Sequence, residues 1–132
     1  MNTLLQIRPK ISAFTDLTAW QEGHKLVLLV YKITNTFPAS EQFSLTNQIR
    51  RAAVSIASNI AEGFSRQSYK EKTQFYATAL GSLTEVQNQI LIAKDVGYIT
   101  ENAFEELQHA SITANKLING LIKKTKTLIH NS

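Results

Sequence analysis

Apolar residues recur through this chain at three- and four-residue intervals, and no stretch sustains the apolar–polar alternation of a half-buried strand. The pattern predicts four long helices near residues 16–36, 44–64, 68–96 and 100–126. Turn and cap signals mark their ends. Asp16 or Thr18 can cap the first helix, which should stop before Phe37-Pro38, and Ser44 can cap the second. Ser68 with Glu71 three residues on is a capping box for the third, and Gly97 is suited to the left-handed residue that ends it. Thr100 opens the fourth, whose last turns carry Lys123, Lys124 and Lys126 at the negative end of the helix dipole. Helices this long span roughly 30–40 Å, and short links make successive ones antiparallel neighbours. The expected fold is all-α, an up-down-up-down antiparallel four-helix bundle over residues 15–127. Residues 1–14, without a helical cap, read as an extended arm, and 128–132 as a tail.

The wheels differ from helix to helix. The fourth helix is a one-faced amphipath, with Phe104, Leu107, Ala114, Ile118 and Leu121 on one stripe. The third has a main stripe of Phe75, Ala79, Leu83, Val86, Ile90 and Ala93, with Leu80, Leu91 and Ile92 outside it. On the first helix, Leu17, Trp20, Val27, Leu28 and Tyr31 form one stripe, taken as the core face, with His24 beside it as a hydrogen-bonded structural histidine. A second stripe, Leu26, Leu29, Val30, Ile33 and Phe37, lies opposite and is expected to meet another protomer, because a bundle buries about one face per helix. That pattern predicts a homo-oligomer.

The second helix contains QIRRAAVSIASNIAEG, residues 48–63. Its apolar arc is Leu45, Ile49, Ala52, Ala53, Ile56, Ile60 and Phe64, and its polar arc is Gln48, Arg51, Ser55, Ser58, Asn59 and Glu62. Short polar side chains flanked by two ions suit close packing of another helix, with Arg51 and Glu62 buried and paired with groups on other helices or other protomers. Arg50, Arg51, Gln48 and Asn59 could instead touch phosphates, but a carboxylate within the same arc would repel such a ligand.

Composition narrows the chemistry. The 132 residues include no Cys, which removes disulfides, thiolate metal sites and a Cys nucleophile. Three scattered His residues offer no metal centre, so neither metal nor cofactor is expected. The longest apolar run, Leu26–Tyr31, is six residues against about 20 for a membrane span, and no signal-peptide pattern opens the chain, so the expected location is cytoplasmic. A formal charge of +4 with a pI near 9.4 suits a partner rich in phosphate.

The segment 48–63, together with Phe75–Val86 (containing Ala79-Leu80-Gly81-Ser82-Leu83-Thr84-Glu85) and the Trp20…Tyr31…Phe37-Pro38 run, resembles the four-helix bundle protein family, also called 23S rRNA intervening-sequence proteins. The likeness extends from about Asp16 to Ile122. It implies a homopentameric ring with a basic surface, and a similarity to the accessory protein of diversity-generating retroelements, which works with a reverse transcriptase and nucleic acid. The family's shared positions fall here on Arg50, Arg51, Ser55, Asn59, Glu62 and Gly63, and the likeness implies no catalytic residue.

Three functions follow for comparison. The favoured one is a non-enzymatic oligomeric scaffold for RNA, DNA or a ribonucleoprotein partner, touched mainly through the phosphate backbone. Its candidate contacts are Lys25 and Lys32, then Arg50, Arg66, Lys70 and Lys72, and Lys123, Lys124 and Lys126, with Tyr69 and Tyr76 as stacking aromatics. The alternative is a protein-only adaptor ring. An enzyme is disfavoured. No Arg stands five residues before a His, as a helical-bundle ribonuclease would need, and Glu106…His109 is a lone Glu-x-x-His where a di-iron bundle needs two.

Overall fold

The computed structural model describes residues 10–130; the expectation of an extended arm at 1–9 and the end of the tail, 131–132, lie outside them. A 3-10 turn, Phe14–Asp16, leads into α1 (Thr18–Thr34); a second turn, Ala39–Glu41, precedes α2 (Leu45–Ser65). The chain continues with α3 (Tyr69–Asp95) and α4 (Glu101–His130), and no strand occurs among the described residues. Each helix packs on its neighbours in sequence, and α1 also packs on α4, so the four enclose one core consistent with a four-helix bundle. Residues 128–130 continue α4 instead of starting a tail, because no breaker interrupts the pattern there.

The later helix ends follow local chemistry. The Ser68 hydroxyl accepts from the Glu71 amide at 3.1 Å and donates to its carboxylate at 3.3 Å. Gly97 ends α3 at φ +85°, and Thr100 Oγ1 accepts from the Ala103 amide at 3.1 Å. The first two expected caps work otherwise. The Asp16 carboxylate accepts from the Ser12 and Ala13 amides at 2.9 and 3.0 Å, which lowers its pKa and organises the turn before α1. Ser44 gives its hydroxyl to Glu41 instead of capping α2.

The core holds Ile49, Ala53, Ile56 and Ile60 of α2, Tyr76, Leu83, Val86 and Ile90 of α3, and Phe104, Leu107 and Ile118 of α4. From α1 come Leu26 and Val30, both 0% exposed. This overturns the expectation that Leu26 and Val30 face a partner, while Leu17, Trp20 and Val27 of the expected core stripe do pack, half-buried, against the core. Leu26 and Val30 fill the protomer's own core, and Leu29 and Ile33 are half-buried against it, while Leu28 is 56% and Tyr31 42% exposed. The physical reason lies in the small residues: Ala19, Gly23 and Thr34 share the side of Leu26 and Val30 and let α1 approach the core closely. His24 is exposed and stacks on Trp20 at 4.7 Å, so it is not a core histidine.

The α2–α3 seam is tighter still. A Cβ on Gly63 would lie 2.7 Å from the Tyr76 ring and 2.9 Å from Phe75 Cβ, so only glycine fits. Ser55 and Ser82 join across the same seam at 2.8 Å.

The turns before α2 and after α3 are tied by a hydrogen bond. Tyr98 Oη donates to Glu41 Oε2 at 2.7 Å, and the Tyr98 and Phe37 rings lie 5.5 Å apart. Hydrogen bonds from Ser44, Tyr98 and the Leu45 amide, in that order, lower the Glu41 pKa, while the Glu41 carboxylate raises that of Tyr98. A lowered acid contributes stability above its unfolded pKa and loses it as pH falls through the folded value. A phenol with a raised pKa contributes below its unfolded value near 10 and loses that as pH rises through the folded one. Wild type should therefore exceed Tyr98→Phe in stability at neutral pH, with the gap closing below the carboxylate range and above about pH 10. Urea midpoints of both proteins across pH check this.

Candidate functional site

The polar arc of α2 divides by position. Ser55 and Asn59 face the α2–α3 seam, where Asn59 Nδ2 donates to the Ser55 carbonyl at 2.8 Å and to its hydroxyl at 3.0 Å. Arg51 and Glu62 are exposed in the protomer, which corrects the expectation that other helices of the chain would bury them. Four residues before Ser55, Arg51 is turned about 40° further from the core, at the open edge of the α2–α3 seam. Glu62 extends into solvent, and its one ion pair among the described residues is with Arg66, just past the end of α2, at 3.7 Å.

Arg51 stands on the rim shared by two open clefts. One, of about 540 Å³, is bounded by Tyr31, Arg50 and Val54; the other, of about 360 Å³, by Gln48, Ser82 and Glu85. No hydrogen bond or ion pair engages Arg51 among the described residues.

The nine expected phosphate contacts do not form one site. Three are occupied in holding the fold. Arg50 Nε donates to Thr34 Oγ1 at 2.8 Å and Nη2 to Asn35 Oδ1 at 3.1 Å, with the guanidinium 4.7 Å over the Tyr31 ring. Lys72 Nζ donates to the Phe64 carbonyl at 2.6 Å, satisfying the end of α2, and burial lowers its pKa. Arg66 lies 4.5 Å over the Phe75 ring. These side chains stand beside helix ends or rings that engage them, so they are poor candidates for free phosphate contacts. Lys25, Lys32, Lys70, Lys123, Lys124 and Lys126 are exposed, with Lys25 3.3 Å from Glu22. Tyr69 is 40% exposed, but Tyr76 is 2% exposed and sealed in the core, so it cannot stack on a base.

Sequence reasoning missed an apolar groove of about 280 Å³ between α1 and α2, lined by Phe14, Trp20, His24, Val27, Val54 and Ala57, among others. The available signal was Val54, a large apolar residue outside the core arc of α2, 39% exposed. A second apolar area lies on the α3–α4 side, where Leu91 and Ile112 are 49% and 44% exposed.

The sequence model of a family described as 23S rRNA-intervening sequence protein matches residues 15–120, which spans every helix but the last turns of α4. The chain belongs to this family. Among solved structures, its fold is similar to that of a protein of unknown function from the S23 ribosomal protein family of Bacteroides thetaiotaomicron. The two are 24% identical with a TM-score of 0.74, over 83% of this chain and 98% of the other. No functionally curated protein matches this family member. Among its described residues, no helix is long and apolar enough to cross a membrane.

Proposed function

We propose that this chain is a non-enzymatic scaffold whose up-down-up-down bundles assemble into a closed ring, a pentamer, that binds nucleic acid weakly through its phosphate backbone. The up-down order is supported by contacts that gather alternate helix ends: Lys72 on Phe64 at one end, and Tyr98 on Glu41 at the other. The number five rests on the family resemblance. The non-enzymatic part is supported by Glu106 and His109, the one Glu-x-x-His pair, which both point outward on α4.

The observation that carries assembly is the pair of exposed apolar areas on different sides of the bundle. Leu28, Tyr31 and Val54 lie on the α1–α2 side, and Leu91 and Ile112 on the α3–α4 side. Two unlike patches favour a heterologous contact, which closes into a ring when the rotation permits. Copies of a modest basic surface then act together, since later contacts gain effective concentration. Sedimentation and filter binding test this on wild type and on Leu28→Glu, Val54→Glu. Both substitutions are at exposed sites and spare Leu29 and Ile33, which help cover the core. The expected result is a folded monomer with nucleic-acid binding lost. A monomeric wild type, or a monomeric variant that binds as tightly, overturns the ring; a ring that binds no nucleic acid favours the protein-only adaptor.

A further inference from the structure

Charge in this protomer is segregated along the bundle. The start of α3 meets the end of α2 through Lys72 and Phe64. The residues leading into α1, Ile11, Asp16 and Leu17, share a cleft with Lys116, Leu117 and Lys124 of α4. The α2–α3 turn and the last third of α4 therefore mark one end. It carries Arg66, Lys70 and Lys72 with Lys116, Lys123, Lys124 and Lys126, against the acids Asp16, Glu22, Glu62 and Glu71. The opposite end, joined by Tyr98 and Glu41, carries Asp95, Glu101, Glu105 and Glu106, all exposed.

The cations at the two ends also differ in how they are used. At the acidic end Lys94 is drawn toward Glu101, 3.9 Å away, and lies 4.2 Å over the Phe104 ring, and Arg50 is bound to α1, which leaves Lys32 and Arg51 as the exposed cations there without an ion pair among the described residues. At the basic end Lys70, Lys116, Lys123, Lys124 and Lys126 are exposed and make no ion pair among the described residues. On the last turns of the 30-residue α4, Lys123, Lys124 and Lys126 stand exposed on the side away from the buried Thr125.

We infer that the phosphodiester backbone of a nucleic acid is held at this one end, chiefly by Lys70 and the α4 lysines, and that the opposite acidic end turns it away. This rests on the nucleic-acid reading above and sharpens it, since Lys25 and Lys32, away from that end, then make no phosphate contact. Phosphate contact releases counterions, so each lost contact makes the fall of affinity with salt shallower by about 0.7 for a single strand and 0.9 for a duplex.

The test compares two charge-matched variants of the full chain, Lys124→Gln, Lys126→Gln and Lys25→Gln, Lys32→Gln. Each is assayed by filter binding to a mixed-sequence single-stranded RNA and to a DNA duplex, between roughly 50 and 200 mM salt. Circular dichroism and sedimentation verify that fold and assembly are unchanged. The α4 variant should flatten the log–log salt slope by at least about one, whereas the α1 variant keeps the wild-type slope. Equal losses in both variants, or a larger loss in the α1 variant, overturn the polar site while leaving nucleic-acid binding intact. A wild type that binds neither probe overturns the underlying reading as well. A slope change confined to one probe supports the site and identifies the nucleic acid it holds.

Discussion

Gly63→Val should leave the protein short of a stable fold, and Gly63→Ala should cost about 1–2 kcal/mol net. A helix interior ordinarily gains up to about 1 kcal/mol when glycine becomes alanine. Here the new Cβ would sit 2.7 Å from the Tyr76 ring and 2.9 Å from Phe75 Cβ. The ring is enclosed at 2% exposure, and Phe75 Cβ is fixed to its own backbone, so α2 and α3 must separate. Overpacking of this kind costs about 1–3 kcal/mol for a methylene or so, which outweighs the propensity gain. Valine adds two more carbons to the same gap. Gly81 supplies the control, because nothing lies within 4 Å of a Cβ placed there. Gly81→Ala should raise stability by about 0.5–1 kcal/mol. Urea denaturation at fixed protein concentration measures both, since assembly makes stability concentration-dependent. If Gly63→Ala gains as Gly81→Ala does, the seam is looser than described.

The second large effect separates the two faces of α1. Leu26→Ala should cost about 2–5 kcal/mol, the range for emptying an enclosed leucine site. Leu28→Ala, two residues on and 56% exposed, should change protomer stability by no more than about 0.5 kcal/mol. The reverse ranking would restore Leu26 and Val30 to a partner-facing stripe. Because Leu28 lies in the surface proposed to join protomers, sedimentation should accompany the melts, so that lost assembly is not mistaken for lost folding.

This contrast shows how far the sequence could be read. Ser68 with Glu71, Gly97, and Thr100 located the ends of α3 and α4 because each signal acts on backbone only a few residues away. The one-sided stripes of α2 and α4 likewise pointed to the core. The first helix has large apolar residues on both sides, so the deciding information lay in its small ones, Ala19 and Gly23, which mark where another helix comes close. The cations were the least legible. Whether Lys72 meets a phosphate or the Phe64 carbonyl eight residues away depends on how two helices meet, and that is not encoded at either position alone. For Arg51 and Glu62, the residue types suggested burial, but the short side chains between them marked a seam for α3, with both ions left exposed.

The three residues joining α2 to α3 also have a bearing on the order in which the chain acquires structure. Contacts between segments close in sequence form with little loss of loop entropy, so this hairpin can assemble as soon as both arms exist. The first helix cannot finish with it, because half of its buried side rests on α4, which is made after both arms. During synthesis, at about 5–20 residues per second, α1 therefore waits for seconds with Leu26 and Val30 uncovered. The interval ends only when α4 emerges, so the nascent chain is most prone to misassociate just before that helix leaves the ribosome.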